Sequence, residues 1–234
     1  MVNKTEVIER LKTFHMPNFI EEHRDIQGHK AAVLVPLFFQ NDEIYVLLTV
    51  RSKNLRSHSG HVAFPGGKMD ERDSDLLETA LRESWEEIGL PRDKVEIVCQ
   101  GMPFSFLNNV VVTPFIGFID SDFSPIQNKR EVSDIFSMPI INFLSAENHT
   151  STVHLDASGN KSYVHHFEYA DKDKRYFPFG FTAFICVILA NIIFQKAPEF
   201  EISSLYKPND PAKILLIWHQ RRVKSNTMKA NSKL

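Results

Sequence analysis

Apolar positions along this chain follow two periods, and the switches between them outline the elements. Alternation and short apolar runs predict strands. KAAVLVPLFF (30–39) and EIYVLLTVR (43–51) flank Gln40-Asn41-Asp42, whose residue types suit a hairpin turn. KVEIVCQGM (94–102) and NVVVTPFIGFI (109–119) predict further strands. NKREVSDIFSMPIINFL (128–144) predicts a loop, a strand or turn, and a short helix. STVHLD and SYVHHFEYA predict a second hairpin around Ser158-Gly159-Asn160. The helical period appears in three places. Ile8, Leu11 and Phe14 predict a short N-terminal helix, and Leu76, Leu77, Ala80, Leu81, Trp85 and Ile88 form one broad apolar arc. That second helix is expected to start near Asp73 or Ser74, either of which can cap it. The third, Phe179 to Phe194, is apolar all round and reads as a buried core helix. A last strand or helical turn is expected at AKILLIWHQ (212–220). Strands mixed with a few helices predict an α/β or α+β sandwich, one sheet between helical layers.

Length and composition bound this picture without changing it. A chain of 234 residues, 43% hydrophobic and 24% charged, suits one generous domain. We expect an N-terminal helical extension over 1–28, a main domain over 29–222 and a flexible tail over 223–234. A net charge of −2 gives no basis for a general nucleic-acid binder. Cys99 and Cys186 are isolated and suit buried free thiols. The Phe179–Phe194 run is shorter than the ~20 residues a bilayer span needs, so no membrane span is expected. The N-terminus lacks the apolar core of a secretory signal. The sequence ends Ser232-Lys233-Leu234, the tripeptide read by the peroxisomal import receptor, so peroxisomal residence is expected.

The chemistry concentrates on the second helix, where Glu83, Glu86 and Glu87 crowd one side beside the apolar arc. Like charges three and four residues apart destabilise a helix. Arg82 can reach Glu78 and Glu86, but one arginine cannot neutralise the whole patch. Two readings follow: a solvated face, or a site for a divalent cation bound through hard carboxylate oxygens. Periodicity does not choose between them.

The wider spacing does. Gly67, five residues, Asp73, then Arg82-Glu83-x-x-Glu86-Glu87-x-Gly89-Leu90 resembles the box of the Nudix family, G-x5-E-x7-R-E-U-x-E-E-x-G-U. Two positions depart from it: the first acid is Asp73, separated from Arg82 by eight residues (Ser74 to Leu81) instead of seven, and Ser84 stands at an aliphatic position. The resemblance implies an α/β/α sandwich with a mixed sheet and a catalytic loop-helix-loop. It also implies hydrolysis of a nucleoside diphosphate linked to another group, with Glu83, Glu86 and Glu87 holding Mg2+ or Mn2+.

The preceding segment narrows the resemblance. LLTVRSKNLRSHSGHVAFPGG, Leu47 to Gly67, fits L-L-T-x-R-[SA]-x3-R-x3-G-x3-F-P-G-G, similar to the coenzyme A diphosphatase branch of that family. One extra residue inside the box is usual for that branch. The implied substrates are coenzyme A and acyl-coenzyme A, whose phosphates need fixed positive charge. Arg51 and Arg56 offer planar, permanently charged forks, and Gly66 and Gly67 allow close approach of a ligand. His58 and His61 are equally well read as phosphate contacts or as loop histidines. His165-His166 reads as structural. The resemblance also implies a further acid from a loop beyond the box: Glu131 stands in the right order to orient or deprotonate water or to complete a metal shell, and reads nearly as well as an exposed loop glutamate. Two rival readings stand beside this one: hydrolysis of another nucleotide such as ADP-ribose or NADH, and a catalytically inactive nucleotide-binding module.

Overall fold

The computed structural model describes residues 3–16, 28–55, 57–106, 109–155, 159, 161–204 and 206–207. AKILLIWHQ, the expected tail and its final tripeptide, Arg56, and Ser158 and Asn160 of the second predicted hairpin lie outside the described residues.

Twelve strands and three α-helices are described. The strands are β1 (His29–Gln40), β2 (Glu43–Arg51), β3 (Val62–Ala63), β4 (Gly66–Lys68), β5 (Val95–Gln100), β6 (Phe104–Ser105), β7 (Val110–Ile119), β8 (Val132–Pro139), β9 (His149–Leu155), β10 (Lys161–Phe167), β11 (Tyr169–Asp171) and β12 (Lys174–Tyr176). The helices are α1 (Lys4–Lys12), α2 (Leu76–Ile88) and α3 (Gly180–Phe194). A 3-10 turn, Ile140–Leu144, follows β8. Eight strands form one mixed sheet with the path β3-β2-β1-β7-β5; β4 also pairs with β1, β6 with β7 and β8 with β2. The β1–β7 pair is parallel, with Ala32 opposite Thr113 and Leu34 opposite Phe115. The β1–β2 hairpin closes as its residues require: Asn41 and Asp42 take φ of 51° and 63°, the two positive values of a type I′ turn.

Alternation along the strands divides the interior in two. Ala32, Leu34 and Phe38 of β1 join Leu47 of β2 and Phe115 and Ile119 of β7 on one face, where they pack Ala80 and Ile88 of α2. On the opposite face Val35 and Leu37 join Val46, Leu48, Ile116 and Phe118. That face is covered by α3, in which every residue from Thr182 to Ile193 is buried. α1 adds Val7 and Leu11 to the same core, the turn after it adds Phe14, and Arg10 donates to the Ile193 carbonyl at the end of α3. The helix of the N-terminal extension is thereby packed into the core beneath α3. The result is an α/β/α sandwich, and among the described residues no helix is long and apolar enough to cross a membrane.

Two details of α2 differ from expectation. Its N-cap is Asp75, not Asp73 or Ser74; the Asp75 side chain accepts from the Glu78 N–H at 2.7 Å. The buried side of the helix is Thr79, Ala80, Leu81, Ser84, Glu87 and Ile88, while Trp85 is 58% exposed. The apolar arc ranked Trp85 by hydrophobicity, but small side chains at Ala80 and Ser84 let the helix settle onto the sheet along a different stripe. Ser84 tolerates that burial because its hydroxyl donates to the Ala80 carbonyl at 2.7 Å.

Candidate active site

Rotation of α2 toward Ala80 and Ser84 carries Glu87 underneath the helix, with 3% of its side chain exposed. Its Oε2 accepts the Gly66 N–H at 3.2 Å, and its Oε1 lies 3.5 Å from Arg51 Nη1. Strand alternation supplies Arg51: Leu47 faces the α2 side of the sheet, and so does Arg51 four residues on. Burial pushes the Glu87 carboxyl up to about 8, although the Gly66 amide and Arg51 pull it down. Glu83, one turn earlier, is 15% exposed at its side chain. Its carboxyl is pushed up by burial and pulled down by Arg82, whose Nη1 lies 2.9 Å away. Gly67 leaves room for it, because a Cβ there would sit on the Glu83 carboxylate and displace it.

Glu131 arrives from the far side. The loop between β7 and β8 is stitched to the end of α2 by Ile126 N–H to Ile88 O at 2.8 Å and Asn128 N–H to Glu87 O at 3.0 Å. Ser52 N–H then holds the Glu131 carbonyl at 2.8 Å. Carboxylate oxygens of Glu83, Glu87 and Glu131 come within 4.8 Å of one another. Three hard oxygen donors, two of them pushed toward protonation by their surroundings, suit a divalent cation that prefers oxygen ligands. A cation there would offset the repulsion among Glu83, Glu87 and Glu131.

Glu86 stands apart from that group. Its side chain is 45% exposed and its Oε2 lies 3.2 Å from Arg82 Nη1. Arg82 is the hub of the rim: the expected contact with Glu86 forms, and the other partners are new. Its Nε and Nη2 reach Asp73 at 2.7 and 3.0 Å, and Nη2 also donates to the Lys68 carbonyl at 3.2 Å. Glu78, expected to pair with Arg82, instead pairs with Arg92. Asp73 therefore anchors Arg82 instead of capping the helix, with Thr79 Oγ1 donating to it at 2.9 Å. The Arg82 hydrogen bonds hold its carboxyl well below the usual carboxylate range. At the other end Gly89 takes φ +69° and stops α2, with Leu90 N–H reaching back to Ser84 O at 3.3 Å.

The remaining sequence candidates fall into two sets. His61 is half-buried, its ring edge-on to Phe179 at 4.9 Å, and its carbonyl accepts the Arg51 N–H at 2.9 Å. His58 is exposed beside it. His165 is 1% exposed and bonded to His149 at 2.9 Å, well inside the hairpin layer. Sequence reading passed over Asn128, whose Nδ2 donates to Glu131 Oε1 at 3.1 Å. The available signal was Asn-x-x-Glu in a polar loop, a spacing that lets a short amide meet a carboxylate across a turn.

Residues 28–152 match the family model described as NUDIX domain. The Mus musculus protein "Peroxisomal coenzyme A diphosphatase NUDT7" is 38% identical over 76% of this chain and 75% of its own length. The Arabidopsis thaliana proteins "Nudix hydrolase 15, mitochondrial" and "Nudix hydrolase 22, chloroplastic" are each 40% identical over 73% of this chain. This chain spans 61% and 57% of those two. Among solved structures, a C. elegans Ap4A hydrolase in a binary complex aligns with a TM-score of 0.42 and 19% identity, covering 49% of this chain and 82% of that one.

Proposed function

The chain belongs to the Nudix family, and from that premise we propose that it hydrolyses the pyrophosphate bond of coenzyme A and acyl-coenzyme A. The products are 3′,5′-ADP and 4′-phosphopantetheine, or its acylated form. What supports this reading most is the juxtaposition of two motifs. Arg51 and Gly66, fixed positions of the segment that resembles the coenzyme A branch, both contact Glu87 of the acidic helix. The mouse relative, with coenzyme A diphosphatase in its name, supports the same substrate.

Glu83, Glu87 and Glu131 are the residues that would hold Mg2+ or Mn2+, with Glu86 contributing negative charge at the rim. When bound, such an ion offsets charge on the pyrophosphate oxygens and acidifies water. The chain's own residues do the rest. Arg51 binds a phosphate oxygen as a fixed cation, and Arg56 is proposed to bind another. Gly66 and Gly67, expected to admit the substrate, instead let β4 lie close to β1 and to the Glu83 carboxylate, with the Gly66 N–H holding Glu87 in place. Glu131 or Glu83 accepts the proton of the attacking water. Arg82, fixed by Asp73, keeps Glu83 turned into the site.

Peroxisomal residence belongs to the same proposal. It is supported by the location in the mouse relative's name and by the Ser232-Lys233-Leu234 tripeptide, which the import receptor would recognise. The Arabidopsis relatives carry mitochondrial and chloroplastic locations in theirs. Imaging of the tagged chain with and without that tripeptide checks it: a punctate signal that persists unchanged without the tripeptide refutes receptor-read import.

The substrate assignment is tested with coenzyme A, 3′-dephospho-coenzyme A, ADP-ribose and NADH, each with magnesium or manganese, followed by separation of products. Metal-dependent release of 3′,5′-ADP with coenzyme A preferred is the expected result. Preference for ADP-ribose or NADH discards the coenzyme A reading and keeps the carboxylate chemistry. Tight binding without cleavage places the chain among nucleotide-binding modules.

A further inference from the structure

We infer that Asn128 is the positioning residue that aims Glu131 at Glu83 and Glu87; the inference rests on the hydrolase reading above. Glu131 is the one carboxylate of the three that comes from a loop, so no helix fixes its direction. A glutamate side chain with free rotors would turn away from two carboxylates that repel it. Asn128 opposes this with every polar group it has. Its Nδ2 donates to Glu131 Oε1 at 3.1 Å, while its Oδ1 accepts the Arg130 N–H at 3.2 Å, which fixes the orientation of the amide. Its backbone N–H donates to the Glu87 carbonyl at 3.0 Å, and its carbonyl accepts from Glu131 N–H at 3.0 Å and Val132 N–H at 2.9 Å. One half-buried residue is thus bonded both to the backbone of a helix glutamate and to the carboxylate that must face it.

The amide is the side chain this position needs. An aspartate would put a further negative charge beside Glu131 Oε1, and a serine would be too short to reach it. Serine can nevertheless replace Oδ1 as an acceptor for the Arg130 N–H, since its hydroxyl forms the same kind of turn more weakly. That difference separates aiming from loop structure. Partners that orient a metal ligand from outside typically affect metal affinity or activity by 10–100-fold.

The test uses the full chain and four variants: Asn128→Ala, Asn128→Ser, Glu131→Gln, and Asn128→Ala with Glu131→Gln. Three quantities are read: the Mn2+ binding isotherm with no nucleotide, kcat and KM on whichever of the four assayed substrates the parent cleaves fastest, and the unfolding midpoint. Asn128→Ala and Asn128→Ser are both expected to bind Mn2+ about 10-fold more weakly. Both are expected to lower kcat by a similar factor, with KM within about twofold of the parent. Asn128→Ser is expected to recover most of the unfolding midpoint lost in Asn128→Ala. In Mn2+ binding and kcat, the two quantities in which additivity is judged, the double variant should be no worse than Glu131→Gln alone, because the carboxylate to be aimed is gone. Parent-like Mn2+ binding and kcat in Asn128→Ser, or fully additive losses in the double variant, overturns the inference. The isotherm needs no substrate, so it reports on the aim of Glu131 whichever nucleotide the chain prefers.

Discussion

α2 and α3 lie on opposite faces of one sheet and are held there by different means. α3 is buried from Thr182 to Ile193 and needs little beyond apolar contact. α2 buries Ala80 and Ile88 in the same way, but it also buries Glu87, a group that burial pushes toward protonation. A helix selected for stability alone would carry an apolar residue there, since replacing buried charge with well-packed apolar side chains is often neutral or stabilising. The sheet thus has a face that holds the fold and a face that spends some of that stability on chemistry.

The sharpest way to break this contrast is to change one residue on each face. Glu87→Gln keeps the shape and the acceptor for the Gly66 N–H but removes the charge. It is expected to lower kcat/KM by about 10^3-fold or more, with the unfolding midpoint within a few degrees of the parent. Leu189→Ala leaves a cavity in a fully buried position of α3. It should cost about 4 kcal/mol, roughly 8–16 °C in midpoint, with kcat unchanged at a temperature where the variant is folded. Steady-state kinetics and thermal unfolding on both variants decide the matter. Parent-like turnover in folded Glu87→Gln removes the acidic helix from the mechanism.

Asp73→Asn sharpens the contrast, because it removes a charge that supports the site from outside. The folded-state carboxyl titrates below its unfolded value through its hydrogen bonds to Arg82. Its contribution is therefore complete above the unfolded pKa of about 4 and fades as the pH falls below that value toward the folded one. The substitution should cost about 2 kcal/mol at pH 7 and distinctly less near pH 3. Urea unfolding at the two values measures this, and a cost independent of pH would mean that packing, not charge, matters at residue 73. Arg82 also contacts Glu83 and Glu86, so about a tenfold loss in kcat should accompany the loss of stability.

The two faces were unequally legible in the sequence. Hydrophobic alternation located β1, β2, β5, β7, β8 and the β9–β10 hairpin, and an all-apolar run located α3, because burial on these elements is decided by side-chain hydrophobicity. On α2 the same rule misplaced the buried stripe. It put Trp85 inside, whereas small Ala80 and hydrogen-bonded Ser84 set how close the helix comes. Motif spacing marked Glu83, Glu86, Glu87 and Arg51 alike, because fixed offsets along one helix or one strand set which side chains lie together, but it did not separate Glu86, which stands outside the cluster of three. The approach of Glu131 to Glu83 and Glu87 depends on a loop clasped by Glu87 O, Ile88 O and Ser52 N–H, three backbone groups that leave no trace in residue identity. The purpose of Asp73 was hidden for a related reason: its partner Arg82 lies nine residues away and meets it across a turn, not along a helix face.

The smallest effect is the strictest check on where the boundary between the two faces runs. Trp85 sits on α2, between Ser84 and Glu86, yet points away from the core at 58% exposure. A large apolar residue would normally dominate the energetics of a 13-residue helix. Here the burial of its neighbours assigns it to neither role. Trp85→Gln should therefore change stability by less than about 0.5 kcal/mol, leave Mn2+ affinity intact, and keep kcat within about twofold. A loss of more than about 2 kcal/mol would mean that the apolar arc read from the sequence was right and that α2 packs through Trp85. Preserved stability with a large rise in KM would instead put Trp85 against the substrate and extend the active face outward past Glu86.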